Sequence, residues 1–213
     1  MAPHELPDSW LGSRLAPRTL TLCPELQMWL LGDDVDLHQR VNEVFAIETA
    51  PYWAFCWGSG QALARYLLDQ PELVRGHDVV DFGAGCGVAA IAAMKAGAKS
   101  ACAVDIDPHA IEASLRNAAL NGVSIEAAPV LPPRYDVLLA SDVLYEVGNR
   151  DFLRAEMRRG RRVIVSDPLR PNNPRLELAP SAEYEVRTLP DVDYPVARAV
   201  VYCLEASSVE ALS

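Results

Sequence analysis

The run VVDFGAGCGVAA, residues 79–90, combines an acidic residue with closely spaced glycines, which are residue types that can hold a nucleotide-like ligand. A strand that passes through a glycine turn into a helix forms a cradle, because backbone N–H groups and the helix N-terminus face the ligand. The glycines follow the pattern GxGxG, and Val88 stands where the third glycine of the dinucleotide fingerprint GxGxxG would fall. Asp81, just before the turn, would repel a pyrophosphate but attract the ammonium group of an amino-acid moiety.

A second acidic residue, Asp105, stands about 20 residues beyond the turn, at the end of the next predicted strand. Nucleoside-binding folds place a carboxylate at this position to accept hydrogen bonds from ribose hydroxyls. An ammonium partner at Asp81, backbone contacts at Gly83 and Gly85 and a ribose partner at Asp105 together fit S-adenosylmethionine. The sequence therefore predicts an S-adenosylmethionine site in preference to an NADP site.

The elements that would position these residues alternate from residue 77 onward between apolar runs typical of buried strands and helical patterns. Strands are predicted at 78–82, 100–106, 124–128, 135–141 and 161–167, and helices at 87–97, 108–122 and within 149–160. This order predicts an α/β fold with a mostly parallel sheet and helices on both faces. Two further strand-like segments, 183–190 and 197–205, predict an antiparallel hairpin at the sheet edge.

The N-terminal part of the chain is interpreted as an extension packed on this fold. Residues 1–59 form the predicted extension and 60–213 the catalytic domain, with helices predicted at 24–31 and 60–70. A length of 213 residues suits a single domain of this kind.

Composition limits the function classes. The net charge of −10 argues against nucleic acid as a partner, because a phosphate backbone requires clustered basic side chains. No apolar run approaches the roughly 18 residues that span a bilayer, and no secretory signal is visible, which predicts a cytoplasmic protein or, in a eukaryote, one of the mitochondrial matrix. The dispersed cysteines and histidines predict no metal site.

Several segments resemble the class I, seven-β-strand methyltransferases, and among these the electron transfer flavoprotein β-subunit lysine methyltransferases. The matching segments are LCPELQMWLL, PYWAFCWGSGQALARYLLDQPELVRG, DFGAGCGVAAIAA, VDIDPHA, SDVLYE and SDPLRP. One departure is that Gly58 stands where the family has a proline after Trp57. The resemblance implies a Rossmann-like seven-stranded sheet, S-adenosylmethionine as cofactor and a lysine of a protein as methyl acceptor. The expected cofactor-binding residues are Trp57, Asp81, Gly83, Ala84, Gly85, Asp105, Ile106 and Ser141.

The acceptor side of the site is expected just beyond the strand at 135–141, on the carboxyl edge where open α/β sheets bind ligands. The D-x-x-Y arrangement in SDVLYE resembles the substrate-lysine motif of this branch, which implies that Asp142 and Tyr145 receive the lysine. Alternatives remain at each position: Asp142 as a helix N-cap and Tyr145 as a core residue. For Asp167 a turn-forming Asp-Pro is favoured over substrate contact, and for Trp53 core packing is favoured.

Other functions are compatible with parts of this pattern. A methyltransferase could act on a ribosomal protein or a small amine instead. An NAD-binding oxidoreductase is disfavoured by the GxGxG spacing and by the lack of a Tyr-x-x-x-Lys pair. A nucleotide-binding scaffold without activity is disfavoured by the presence of Asp81, Gly83, Gly85 and Asp105.

Overall fold

The computed structural model describes residues 14–32, 51–169, 176, 178–191 and 197–204 of the chain. The strands are β1 (Leu15–Thr19), β2 (Gln27–Leu31), β3 (Asp78–Phe82), β4 (Ser100–Val104), β5 (Glu126–Ala128), β6 (Val137–Ser141), β7 (Arg162–Asp167), β8 (Ala182–Val186) and β9 (Ala197–Leu204). The helices are α1 (Gly58–Asp69), α2 (Val88–Lys95), α3 (Pro108–Leu120) and α4 (Val147–Arg158), with short 3-10 helices at Tyr52–Ala54 and Pro71–Leu73.

Seven strands form one sheet in the order β5-β4-β3-β6-β7-β9-β8. The first five strands of that order are parallel, and β9 pairs antiparallel with both β7 and β8. The predicted α/β class, the mostly parallel sheet and the C-terminal antiparallel hairpin are confirmed. The chain runs from β3 outward to β4 and later returns to β6 on the other side of β3, which makes the β3–β6 junction the topological switch point where such sheets bind ligands.

Both faces of the sheet are covered because successive strand residues alternate between two apolar cores. Val79 and Leu139 face the core that contains α1 and α2, whereas Val80 and Leu138 face the core that contains residues of α4. Near-continuous apolar strands such as VLLAS in β6 are the expected pattern for a parallel sheet that is buried on both sides.

The predicted helix at 24–31 is wrong, and the N-terminal extension, expected to be helical, contains two strands. Residues 27–31 form β2, which pairs antiparallel with β1 and makes a two-stranded hairpin. The burial of its side chains alternates as in a strand. Met28 and Leu30 are fully buried, whereas Gln27 is exposed and Trp29 is partly buried. Pairing with β1 gives β2 backbone hydrogen bonds, whereas an isolated helix of this length is only marginally stable in water. The predicted helix at 60–70 is confirmed as α1.

Within the described residues, no helix is long and apolar enough to cross a membrane. The same part of the chain holds no group of three or more metal-ligating side chains. All five cysteines are described and none forms a disulfide.

Candidate cofactor and active site

The glycine turn between β3 and α2 is the first component of the site. Gly83, Gly85 and Gly87 have φ angles of 69°, 53° and 80°, in the left-handed region that favours glycine. The N–H groups of Gly83 and Ala84 donate to the carbonyl of Val104 at 2.9 and 3.1 Å, and the N–H of Gly87 donates to the carbonyl of Ala84 at 2.8 Å. The turn is thereby fixed to the end of the neighbouring strand β4.

Asp81 lies under this turn and is only 2% exposed. Its Oδ2 accepts a hydrogen bond from the backbone N–H of Ala90, in the first turn of α2, at 3.0 Å. Burial raises the pKa of the Asp81 carboxyl from 3.8 to about 7, the Ala90 hydrogen bond opposes this rise, and the nearby charge of Asp105 adds to it. A carboxyl with a pKa near neutrality responds strongly to a cation, because a positive charge nearby stabilises the ionised form.

Asp105 stands at the end of β4 and connects two loops. Its Oδ2 accepts from the N–H of Gly85 at 2.9 Å, and its Oδ1 accepts from the N–H of Asp107 at 3.0 Å. Each carboxylate oxygen can accept a further hydrogen bond, so the group retains capacity for ligand hydroxyls. Ile106, the next residue, is 93% exposed, so its side chain is available for contact with a ligand.

The glycine turn is open at Gly85 and closely packed against α3 at Gly87. A Cβ built on Gly85 would meet nothing within 4 Å, whereas a Cβ on Gly87 would lie 2.8 Å from Ser114 in α3. The open backbone at Gly85, the carboxylate of Asp105 and the exposed apolar side chain of Ile106 are the groups that the amino-acid, ribose and adenine parts of S-adenosylmethionine require. The residues present therefore fit this cofactor.

The loop after β6 forms the other wall of the site. A Cβ on Gly83 would be 3.5 Å from Cγ1 of Val143, so this loop packs directly on the glycine turn. Asp142 has a φ of 55°, and its N–H donates to the carbonyl of Ser166 at 3.0 Å. Asp is one of the few residues with a side chain that tolerates this left-handed conformation, and such outliers are concentrated at functional sites.

Tyr145 follows Asp142 in a turn that precedes α4, and its side chain is 56% exposed. The core-packing alternative for Tyr145 is therefore wrong. The N-cap alternative for Asp142 is also wrong, because α4 begins later, with Glu146 as its N-cap residue.

The N-terminal end of α1 lies against the same region. A Cβ on Gly60 would be 3.0 Å from Cγ1 of Val88 and 3.7 Å from Oγ of Ser141, so α1 approaches both the start of α2 and the end of β6. Trp57, which immediately precedes α1, is partly buried, and its Nε1 donates to the carbonyl of Tyr52 at 3.0 Å. Its ring contacts those of Tyr52 and Phe55 at centroid distances of 5.9 and 5.7 Å.

Two residues considered for the site have structural environments. Trp53 is 3% exposed, and its ring centroid lies 6.2 Å from that of His109, which confirms the core-packing interpretation. Asp167 is buried, and its Oδ1 accepts from the N–H of Leu169 at 2.8 Å, which is the turn-forming role expected of an Asp-Pro sequence.

Sequence reasoning missed the residues that hold the glycine turn from behind. Ser114 donates to the carbonyl of Gly85 at 3.1 Å, and Nδ2 of Asn117 donates to the carbonyl of Cys86 at 2.9 Å. Both side chains are fully buried on the face of α3 that also carries Ala110 and Ala113. The available signal was polar residues at helical spacing on an otherwise apolar face, since buried polar groups require partners.

Comparisons with known proteins identify the family of the chain. Residues 39–145, about half of the chain, match the family model for ribosomal protein L11 methyltransferase (PrmA). The electron transfer flavoprotein beta subunit lysine methyltransferase of Xenopus laevis is 35% identical over 195 residues, which cover 84% of this chain and 79% of that protein. The corresponding protein of Rattus norvegicus is 38% identical over 162 residues, which cover 71% of this chain and 63% of the relative.

The match to the rat protein thus spans less than two thirds of that relative's length. Among solved structures, a Pyrococcus horikoshii protein described as a candidate RNA methyltransferase superposes with a TM-score of 0.53 at 16% identity, covering 68% of this chain and 81% of that one. At that identity the likeness establishes the fold alone. Since both the fold and the extended sequence match point the same way, the chain belongs to the electron transfer flavoprotein β-subunit lysine methyltransferase family of class I, S-adenosylmethionine-dependent methyltransferases.

Proposed function

We propose that this protein is an S-adenosylmethionine-dependent protein-lysine N-methyltransferase that acts on the electron transfer flavoprotein β-subunit or a similar protein. The observation that carries the proposal is the packing of the Asp142 loop on the glycine turn through Val143 and Gly83. This packing places Val143, the residue that follows Asp142, against a turn that fits the cofactor. The names of the Xenopus and rat relatives support the choice of acceptor.

The cofactor-binding residues are assigned from their environments. Asp105 binds the ribose hydroxyls, Ile106 covers one face of adenine, and the backbone of Gly83 to Gly85, including Ala84, lies along the amino-acid part. Asp81 attracts the ammonium group through its buried carboxyl. Ser141 and Trp57 are also assigned to the cofactor, as expected from the sequence. The approach of α1, which directly follows Trp57, to Ser141 supports placing both residues at one site.

Asp142 and Tyr145 are assigned to the acceptor lysine. A lysine must lose its proton before it attacks, from a reference pKa of about 10.4. A carboxylate raises that pKa, so Asp142 acts by attracting and orienting the ammonium group and not as the base. The proton leaves to water or to the hydroxyl of Tyr145, whose exposed position allows exchange with solvent.

When bound, S-adenosylmethionine supplies a methyl carbon that its sulfonium already activates toward nucleophilic attack. The contribution of this chain is therefore alignment, which can supply a large part of a rate enhancement when two reactants are held in line. Asp142 holds the lysine nitrogen on one side of the junction, and the glycine turn with Asp105 holds the cofactor on the other. Asp142 is fixed for this role by its backbone bond to Ser166 and by the contact of Val143 with the turn.

A second acceptor is ribosomal protein L11, which the matching family model names. The acidic surface of the chain suits any basic protein segment, and a small amine is a further alternative. The same charge disfavours nucleic acid as a partner. We also propose a location in the cytoplasm of a bacterium or in the mitochondrial matrix of a eukaryote. Residues 60–213 are proposed as the catalytic domain and 1–59 as an extension, of which the described β1–β2 hairpin bonds to Asn117 of α3.

The first experiment tests the cofactor. Thermal unfolding with S-adenosylhomocysteine and with NAD should show stabilisation by several degrees with the former only. Stabilisation by NAD alone would contradict the cofactor assignment.

The second experiment tests the acceptor. A radiolabelled methyl group is offered for transfer to purified flavoprotein β-subunit, to L11, to a small primary amine and to total RNA. It should label a lysine of the flavoprotein subunit, located by mass spectrometry. Label in L11 alone would support the alternative acceptor, and label in RNA would refute the lysine assignment.

A further inference from the structure

The rear of the glycine turn is connected to the N-terminal hairpin by a single side chain. Oδ1 of Asn117 accepts from the N–H of Trp29 in β2 at 2.7 Å, and its Nδ2 donates to the carbonyl of Cys86 in the turn at 2.9 Å. The side chain is fully buried, so neither of these bonds competes with bulk water. Asn117, a residue of α3, thus links the hairpin to the glycine turn.

A neighbouring side chain on the same face supports the adjacent peptide. Oγ of Ser114 donates to the carbonyl of Gly85 at 3.1 Å, so two successive carbonyls of the turn, at 85 and 86, are held by α3. A peptide unit is planar, and fixing its carbonyl also fixes the direction of the N–H that follows. The N–H of Gly87 is accordingly directed at the carbonyl of Ala84, which closes the turn at 2.8 Å.

We infer that Asn117 is a positioning residue for the cofactor: it holds the glycine turn in its binding conformation and makes that conformation depend on the docked β1–β2 hairpin. The inference rests on the proposed function, because it requires the turn to bind S-adenosylmethionine. A turn of three left-handed glycines has many accessible conformations, so external bonds to its carbonyls reduce the conformational entropy lost on binding. No sequence motif for the cofactor contains Asn117, which lies 30 positions after Gly87.

Asn121 provides a matched control. Its Oδ1 accepts from the N–H of Gln27 at 3.0 Å, and its Nδ2 donates to the carbonyls of Gln27 and Asn117 at 2.5 and 2.8 Å. Asn121 therefore also connects the end of α3 to the hairpin, but its hairpin partner Gln27 lies two residues before Trp29, and none of its bonds reaches the glycine turn. Replacing either asparagine by aspartate retains the acceptor and removes the donor.

The experiment measures the affinity for S-adenosylhomocysteine by titration calorimetry, together with the thermal unfolding midpoint, for the wild type, Asn117→Asp and Asn121→Asp. Asn117→Asp should weaken binding about tenfold, the scale of one lost buried hydrogen bond. Asn121→Asp should lower the unfolding midpoint and keep the dissociation constant within about twofold of the wild type. In methyl transfer, Asn117→Asp should raise KM for S-adenosylmethionine and leave kcat at saturation nearly unchanged.

Equal weakening in both variants would overturn the inference, because the effect would then be a general loosening of α3 and the hairpin. Unchanged affinity in Asn117→Asp would overturn it as well. Ser114→Ala, which retains the Cβ and removes only the bond to Gly85, tests the same support in a variant of minimal disruption, with an expected loss of about threefold. Failure of the wild type to bind S-adenosylhomocysteine would refute the proposed function itself. If the wild type binds and Asn117→Asp binds equally well, only the inference about Asn117 is refuted.

Discussion

The backbone N–H of Gly85 donates a 2.9 Å hydrogen bond to Oδ2 of Asp105, so the turn after β3 and the acid after β4 form one unit. The carboxylate that is assigned to the ribose also sets the conformation of the backbone that is assigned to the amino-acid part. Under the proposed assignment, the two halves of the cofactor would be recognised by groups that hold each other, and a change at either should affect both.

Asp105→Ala should weaken S-adenosylhomocysteine binding at least thirtyfold, because it removes the ribose partner and releases the turn at Gly85. Stability should fall by about 2 kcal/mol, the scale of a hydrogen bond to a charged group. Titration calorimetry and thermal unfolding measure the two effects. Asp107→Ala is the control: it removes an N-cap bond to the N–H of His109 at 2.8 Å and should cost about 1 kcal/mol of stability without comparable loss of affinity. Equal affinity losses in the two variants would contradict the assignment of Asp105.

Asp142→Asn should reduce methyl transfer at least a hundredfold and leave the affinity for S-adenosylhomocysteine within about twofold, because the lost charge acts on the lysine and not on the cofactor. Asparagine tolerates the left-handed φ of 55° as aspartate does, so the backbone of the loop is retained. Initial rates with the protein substrate and calorimetry with the cofactor product measure the two effects. The control is Asp151→Asn, which removes an exposed carboxylate of α4 that pairs with Arg154. Loss of cofactor affinity in Asp142→Asn would show that the two parts of the site are assigned incorrectly.

Asp81 predicts a pH dependence of binding. Its pKa in the folded protein, about 7, lies above the ordinary value of 3.8, so the protonated form is favoured by folding. Its contribution to stability is therefore fully present below about pH 4 and is lost as the pH rises through about 7.

The ammonium group of the ligand favours the ionised form, so S-adenosylhomocysteine should bind about fivefold more tightly at pH 7 than at pH 6. Asp81→Asn, which can still accept from Ala90, should show weaker binding that is nearly constant between these two pH values. If the affinity of Asp81→Asn for S-adenosylhomocysteine changed with pH as steeply as that of the wild type, a group other than Asp81 would be the one that titrates.

Glycines of the turn should separate affinity from stability. Gly85→Ala would place its Cβ where no protein atom lies within 4 Å, and it should cost about 1–2 kcal/mol of stability through its positive φ, with a larger effect on cofactor binding. Gly87→Ala places its Cβ 2.8 Å from Ser114 and adds overpacking of about 1–3 kcal/mol to the same strain. Chemical denaturation should therefore show Gly87→Ala as the less stable variant. If Gly85→Ala were the less stable variant, Ser114 and the surrounding face of α3 would have to move away from the new Cβ more easily than their buried hydrogen bonds indicate.

Much of the fold was predictable from sequence because its determinants are local. The strands β3, β4, β6 and β7 are short apolar runs bounded by polar residues and glycines, and Asp107, Pro108 and Gly122 bound α3 as expected of an N-cap, a first-turn proline and a residue past the C-terminus. The segment at 24–31 was assigned incorrectly because its apolar residues suit either period, and its pairing partner β1 decides the conformation.

The residues proposed to face the ligand could be selected from the sequence, since Asp81, the glycines and Asp105 have a characteristic spacing. The support from Ser114 and Asn117 was not predictable in the same way, because it depends on α3 packing behind the turn, which is a tertiary contact. The left-handed conformation of Asp142 likewise has no signal in SDVLYE; it arises where the end of β6 meets β7 and the chain turns over Gly83.

The position of β9 between β7 and β8 determines what the sheet presents at its two margins. In the described part of the sheet, the outermost strand on one side is β8, where the exposed Glu183 pairs with Arg198 and the exposed Glu185 adds a further charge. On the other side β5 has only three residues and carries the exposed Glu126. Short or charged outer strands oppose the addition of foreign strands, so this sheet order disfavours edge-to-edge aggregation.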